Sequence, residues 1–281
     1  MEIKTEQDMR ELCNKIEGPF GITYVSRLSS SDIETFEKLR QQMIGQKHIR
    51  PDSEPIQGIK EIDYFPEHSL VKIEETPYLF PSPGVVEHHP ELTGPMTGVL
   101  VNAYDPKNET FLFHMRGKSV DQPFGFQAAA AGFGVFGEHL YKTAVERELP
   151  EEAGIYNAVP VNGRSALGII PFMKGSFPQP LFNFGFFYDS ASFPAILYPV
   201  LSSLEQIIEF EDQVKNRLRE GTLQQREGYH FNVPHKAVEK VVRDIYDRDP
   251  TQQGKSGGFF GPIVESYENF ARFLNLYIFK L

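Results

Sequence analysis

Tryptophan is absent from the 281 residues, and cysteine occurs once, as Cys13. The missing tryptophan decides nothing, but a single cysteine excludes an intramolecular disulfide framework and any multi-cysteine zinc site, and makes a reducing compartment the simplest home. No apolar run approaches the ~18 residues of a membrane span. The opening MEIKTEQDMREL lacks the basic-then-apolar order of a signal peptide. A cytoplasmic protein with no membrane partner is expected. Positive charge is also in short supply: 28 Lys and Arg against 38 Asp and Glu leave a formal net charge of −10. That argues against a general nucleic-acid surface, which needs clustered cations, and favours binding of metal cations. His88, His89, His230 and His235 have neither cysteine partners nor helical i, i+4 spacing, so they do not suggest a transition-metal site. No internal repeat is present.

A hydrophobic content of 40% is far above what a disordered chain carries, and 281 residues exceed one typical domain. Residues 1 to 95 carry no assignable motif and are expected to form an irregular region of unreadable role packed on a main domain, residues 96 to 281. Within the first part, a serine cap at Ser30 or Ser31 precedes Ile33, Phe36, Leu39 and Met43 at helical spacing, and Gly45 would end that helix. Among many prolines, Ser69 to Ile73 is one short candidate strand.

Thr97 to Tyr104 and Thr110 to Met115 read as strands joined by the turn Asp105-Pro106-Lys107-Asn108, hence a hairpin. Phe126 to Ala131, Ser165 to Phe172 and Leu181 to Tyr188 are further strand candidates. Phe182, Phe184, Phe186 and Tyr188 recur with period two, which favours core packing over a base-stacking platform. Ser203 to Leu218, His235 to Tyr246 and Pro262 to Leu281 read as helices, and Gln252 to Gly258 as a loop. Together these predict an α/β protein with a mixed sheet and C-terminal helices.

The most specific stretch is Gly132 to Ile155, GFGVFGEHLYKTAVERELPEEAGI. On an α-helix from about His139 to Glu152, closed by Gly154, the carboxylates of Glu148, Glu151 and Glu152 would share one face. Like charges so placed repel unless solvent screens them or a cation sits on them. Hard divalent cations take oxygen ligands, and Mg2+ sites combine a few carboxylates with waters and substrate phosphate. Such a face suits a pyrophosphate substrate.

This stretch resembles the signature of the Nudix hydrolase superfamily, G-x5-E-x7-R-E-U-x-E-E-x-G-U with U bulky and aliphatic. Arg147, Glu148, Leu149, Glu151, Glu152, Gly154 and Ile155 fit position by position, and Gly132 with Glu138 fits the opening. Eight residues, His139 to Glu146, separate Glu138 from Arg147 where the family has seven. Pro150 is a second departure, since proline inside a helix removes a hydrogen bond and costs about 3 kcal/mol. The two features are expected to be linked: a π-bulge would absorb the extra residue and make the proline less costly, whereas a regular helix over Glu138 to Glu152 would refute the link.

The resemblance covers these 24 residues tightly, and residues 97 to 220 loosely through strand order and the phrase FLFHMRGKS. It implies a Nudix-type α/β/α sandwich. It implies Mg2+ or Mn2+ held by Glu148 and Glu152, with Glu151 as ligand or helper, Arg147 orienting the carboxylates, and Glu138 and Gly132 in support. The catalytic set so implied is Glu148, Glu151 and Arg147. A further acid often comes from a later segment, for which Glu205, Glu209 and Glu211 are candidates. Arg116 and Lys118 could contact substrate phosphate or simply lie at the surface. Tyr229 and Phe231 could stack on a base, with core packing favoured.

The implied activity is cleavage of a pyrophosphate linkage in a nucleoside diphosphate joined to another group, by a metal-activated water. The partner is then a small-molecule nucleotide or diphosphate, with a homodimer left open. Two alternatives remain: a nucleotide-binding or regulatory Nudix-fold protein, and an isopentenyl-diphosphate isomerase-like enzyme. The latter uses a strand cysteine, and Cys13 lies far outside the matching region.

Overall fold

The computed structural model describes residues 20–26, 30–45, 56–64, 69–76, 97–118, 124–138, 142–160, 182–189 and 198–248. The chain divides into two compact units. One comprises Met1–Val99, Gly132–Thr143 and Leu167–Phe182; the other comprises Leu100–Ala131, Ala144–Ala166 and Asn183–Leu281. The strand expected at Ser165 to Phe172, the helix at Pro262 to Leu281, the loop at Gln252 to Gly258, Cys13, His88 and His89 all lie outside the described residues.

The first unit contains strands β1 (Phe20–Ser26), β2 (Ile56–Tyr64) and β3 (Ser69–Thr76) and helix α1 (Ser30–Gly45). Helix α1 begins at the serines and includes Gly45, as the spacing predicts. The strands form a sheet of order β1-β3-β2, with β3 parallel to β1 and antiparallel to β2. An irregular region was expected here, so this is a correction. Strand β2, Ile-Gln-Gly-Ile-Lys-Glu-Ile-Asp-Tyr, carries a glycine and has no unbroken alternation, which hid it from periodicity. Its register against β3 shifts between Ile59 and Glu61, so the side-chain alternation itself is interrupted by a bulge.

The second architecture is an α/β arrangement around a seven-stranded open sheet of order β10-β5-β4-β9-β8. Its strands are β4 (Gly98–Asp105), β5 (Thr110–Arg116), β6 (Phe126–Ala128), β7 (Ala130–Phe133), β8 (Val159–Pro160), β9 (Phe182–Phe187) and β10 (Gly228–Pro234). Strand β6 lies against β5, and β7 against β4. A mixed sheet was expected, but the pairings β10–β5, β5–β4, β5–β6 and β9–β8 are antiparallel. The β4–β5 hairpin turns where predicted. Asp105 Oδ1 accepts from the backbone N–H of Lys107 at 2.9 Å and of Asn108 at 3.2 Å, the local bonding that makes Asp a turn residue.

The pleat gives the sheet two unlike faces. Registered neighbours Phe113 and Phe231, Met115 and Tyr229, and Phe111 and Val233 share one face. There Phe231, fully buried, stacks on Phe113 with centroids 6.0 Å apart and meets Phe126 edge-on at 6.0 Å and Phe210 at 5.5 Å. Core packing is therefore what Phe231 does, and Tyr229, also buried, donates its hydroxyl to the carbonyl of Gln224 at 3.2 Å. The other face carries Arg116, His114 and Thr110 from β5, and Gly228, His230 and Asn232 from β10.

Helix α2 (Leu204–Arg219) is capped by Ser203, whose Oγ accepts from the Gln206 N–H at 3.4 Å. Helix α3 (His235–Arg248) starts where β10 ends, its first N–H donating to the Glu109 carbonyl at 2.8 Å. His235 packs edge-on against Tyr104 and Phe111, so it is a structural residue. Phe186 and Tyr188 are buried at the end of β9, as the aromatic row predicts. No helix among the described residues is long and apolar enough to cross a membrane.

Candidate functional site

The acidic motif lies on an eleven-residue π-helix, Thr143–Ala153, with Pro150 inside it. A regular helix was the outcome that would have refuted the link between the extra residue and the proline. Hydrogen bonds that reach five residues instead of four widen the turn, accommodate the added residue and move the carbonyl that a proline ring would strike. The end of the helix records the same widening. Helix α2 closes in the ordinary way, with Thr222 N–H bonded to the Arg217 carbonyl at 2.9 Å and Gly221 N–H to Leu218 at 3.3 Å, spans of five and three residues. The π-helix closes with Ile155 N–H to the Leu149 carbonyl and Gly154 N–H to Pro150, both at 3.1 Å, so each span is one residue longer. Gly154 sits at φ +69, the left-handed position expected of it.

Widening also changes which side chains share a face. One turn now joins positions four and five apart, so Ala144, Glu148, Leu149 and Ala153 are buried together. Glu152, four residues from Glu148, is mostly buried beside them, whereas Glu151, five from exposed Glu146, faces solvent. The expectation that Glu148, Glu151 and Glu152 line one side is corrected on this ground: it assumed the α-helical period of three and four.

The two inward carboxylates are held differently. Arg147 Nε lies 3.2 Å from Glu148 Oε1. Glu152 Oε2 accepts from the backbone N–H of Ala131 at 3.1 Å and has the Nδ1 of His114 at 3.6 Å. Burial pushes the Glu148 carboxyl up to about 7; Arg147 opposes this, and the Glu151 and Glu227 charges add to it. Burial likewise pushes Glu152 well above the usual carboxylate range, with Glu148 the next cause and Glu227 a further one. Two desolvated acids, one of which also feels the charge of the other, form a site short of positive charge.

Glu227 is the residue that sequence reading missed. Its charge acts on both inward acids, and its backbone carbonyl accepts from Gly117 N–H at 2.7 Å. A Cβ on Gly117 would stand 1.8 Å from the Arg226 carbonyl oxygen, so only glycine permits this crossing. The acids expected to serve are elsewhere engaged or exposed. Glu205 and Glu209 lie on the exposed side of α2, and Glu211 is buried in ion pairs with Lys215 and, at 3.2 Å, with Arg248.

The remaining expected residues separate. Glu138 belongs to the first unit, where its Oε2 accepts from Thr143 Oγ1 at 3.1 Å and its Oε1 lies 3.6 Å from Lys142 Nζ. Gly132 is in β7, and Lys118 is exposed. Arg116, expected at substrate or surface, turns its Nη1 to Gln127 Oε1 at 3.0 Å. Gln127 in turn places its amide nitrogen 3.2 Å from both ring nitrogens of His114. His230, buried, sets Nε2 2.9 Å from the Ala129 carbonyl oxygen, and its ring lies 5.0 Å from that of His114. Burial holds His114 well below the ordinary histidine range, with His230 and Arg116 adding to the effect, and lowers His230 to about 4. The signal for this polar row was present as period-two alternation in Thr110–Arg116 and Gly228–Pro234.

Among the described residues, no group of three or more His, Cys, Asp or Glu is drawn together as a ready metal cage. That is compatible with Mg2+, which commonly takes one or two carboxylates and completes its shell with water and substrate phosphate. The donor set fits: two buried oxygen-donor acids, both strained toward protonation, with Glu227 within electrostatic reach.

A pH prediction follows from the signs. Glu148 titrates near 7 folded against 4.5 as its reference, so the stability it contributes is fully present below 4.5 and is lost as the pH rises to about 7. At 1.36 kcal/mol per unit this is about 3 kcal/mol. His230 runs the other way: its stability contribution is present above 6.5 and is lost as the pH falls to about 4. Thermal unfolding in chelator is therefore expected to be flat or falling from pH 5 to 7 for the wild type and rising for Glu148→Gln. Parallel profiles would contradict the assigned burial of Glu148.

Comparison with protein-family models gives no match, and comparison with curated proteins gives none either.

Proposed function

We propose that the protein is a Nudix-type hydrolase that cleaves a pyrophosphate linkage in a nucleoside diphosphate joined to another group, using Mg2+ or Mn2+. On this reading residues 96 to 281 are the catalytic domain, an α/β/α sandwich with a C-terminal helical extension, and residues 1 to 95 an accessory region of a cytoplasmic protein. The observation that carries the reading is the pair of buried Glu148 and mostly buried Glu152, both pushed toward protonation. A divalent cation bound there would neutralise diphosphate charge and make a water more acidic. Arg147 orients Glu148 and the Ala131 N–H orients Glu152, so both carboxylates are held in place for the cation. Arg116 serves by holding Gln127 in this reading, and Lys118 is the exposed cation left for substrate.

One observation favours a second reading. The π-helix turns Glu151 to solvent, which suits a protein that keeps nucleotide binding and has lost turnover. A panel of nucleotide sugars, ADP-ribose, dinucleotides and nucleoside triphosphates separates the two. Product release that requires Mg2+ or Mn2+ and stops with chelator is the expected outcome. Saturable binding with no turnover across the panel would replace the hydrolase by the binding protein, and neither binding nor turnover would discard both.

A further inference from the structure

We infer that His114 is a positioning residue for Glu152. The inference rests on the metal reading above and goes beyond it, because no feature of the acidic motif points to a histidine three strands away in sequence order. Both named contacts of the Glu152 carboxylate go to one oxygen: Oε2 takes the Ala131 N–H at 3.1 Å and faces His114 Nδ1 at 3.6 Å. The Ala131 N–H anchors Oε2, and the His114 ring, standing 3.6 Å from the same oxygen and beyond direct hydrogen-bond reach, limits how the carboxylate can turn and leaves Oε1 as the oxygen for a cation. Groups that orient a metal ligand in this way typically change metal affinity by about 10- to 100-fold when removed.

The imidazole is itself fixed, which a casual neighbour would not be. Gln127 holds it from its amide nitrogen, at 3.2 Å from both ring nitrogens, and Arg116 holds Gln127. His230 packs against it at 5.0 Å while anchored to the Ala129 carbonyl. The fourth side is Gly228, registered opposite Arg116 on β10. A Cβ there would stand 2.5 Å from the imidazole Cδ2 and Nε2, so the absence of a side chain at 228 is what lets the ring lie over β10. Arg116, Gln127 and His114 thus form a chain of buried or half-buried groups that ends on a ligand oxygen.

The test is binding of Mn2+ alone, followed by electron paramagnetic resonance, on folded wild type, His114→Phe and His114→Asn, with thermal unfolding in chelator as the fold control. His114→Phe is expected to weaken Mn2+ binding about tenfold or more. His114→Asn, which keeps a polar group, is expected to recover part of the loss. Gln127→Leu, which frees the ring while leaving it in place, supplies a second variant should His114→Phe fail to fold, and is expected to weaken binding several-fold. Wild-type Mn2+ affinity in folded His114 or Gln127 variants would overturn the positioning role alone. Wild-type protein that binds no Mn2+ would overturn both this role and the metal reading.

Discussion

Replacing Glu152 with glutamine is expected to leave the protein folded and to lower divalent-cation-dependent turnover on the order of a hundredfold or more, since even partners outside the ligand shell cost up to about that much. The Glu152 carboxyl is buried and raised well above the usual range, first by burial and then by the charge of Glu148. A neutral amide of the same shape removes the desolvated charge, so in chelator at neutral pH the variant should be as stable as wild type or more so. The pairing of lost turnover with retained stability distinguishes a site acid from a structural one. Glu151→Gln is the control on the same helix: facing solvent, it should change turnover far less. Wild-type turnover in Glu152→Gln, or an equal loss in Glu151→Gln, would refute the assignment of the inward pair.

The second large effect concerns stability. Glu211 is buried between α2 and α3, with Lys215 on its own helix and Arg248 across from it. Replacing both cations by methionine keeps their apolar bulk and strands the carboxylate without a partner among them. Breaking a buried pair in this way costs about 3–5 kcal/mol. Adding Glu211→Met to the pair should restore much of it, because a well-packed apolar group in place of a buried ion cluster is often neutral or better. Denaturant unfolding of the double and triple variants gives the comparison. A double variant within about 1 kcal/mol of wild type, under the 3–5 kcal/mol above, would mean that Glu211 reaches solvent or another donor.

Elements whose reason is local were legible in the sequence. The hairpin turn rests on Asp105, the α2 start on Ser203, the α1 span on its serines and Gly45, and the π-helix end on Gly154; each requires its residue type whatever packs around it. The widened helix was also foreseeable, since one surplus residue and one proline in a helix both call for the same remedy. Strands β1, β2 and β10 were not read. β10 pairs with β5 across more than a hundred residues and β1 with β3 across α1 and β2, pairings that no local propensity encodes, whereas β2 pairs with the adjacent β3 and was hidden by its glycine and bulge.

For the site, the sequence by itself placed Glu148 and Glu152 one turn apart, because i, i+4 positions are neighbours on a helix. It also pointed to a local π-bulge through the surplus residue and Pro150, but not to π-geometry along the whole of Thr143–Ala153. Only the structure decided which carboxylates turn inward, since neighbours on one face went from three and four residues apart to four and five and Glu151 was left at the surface. Only it, too, brought Glu227 and His114 to the same acids. Those two arrive on a loop and a strand placed by long-range pairing and by the two glycines, Gly117 and Gly228, that let backbone and ring approach. Burial did the rest: a carboxylate has an ordinary pKa in sequence and acquires a chemical task when neighbours remove its water.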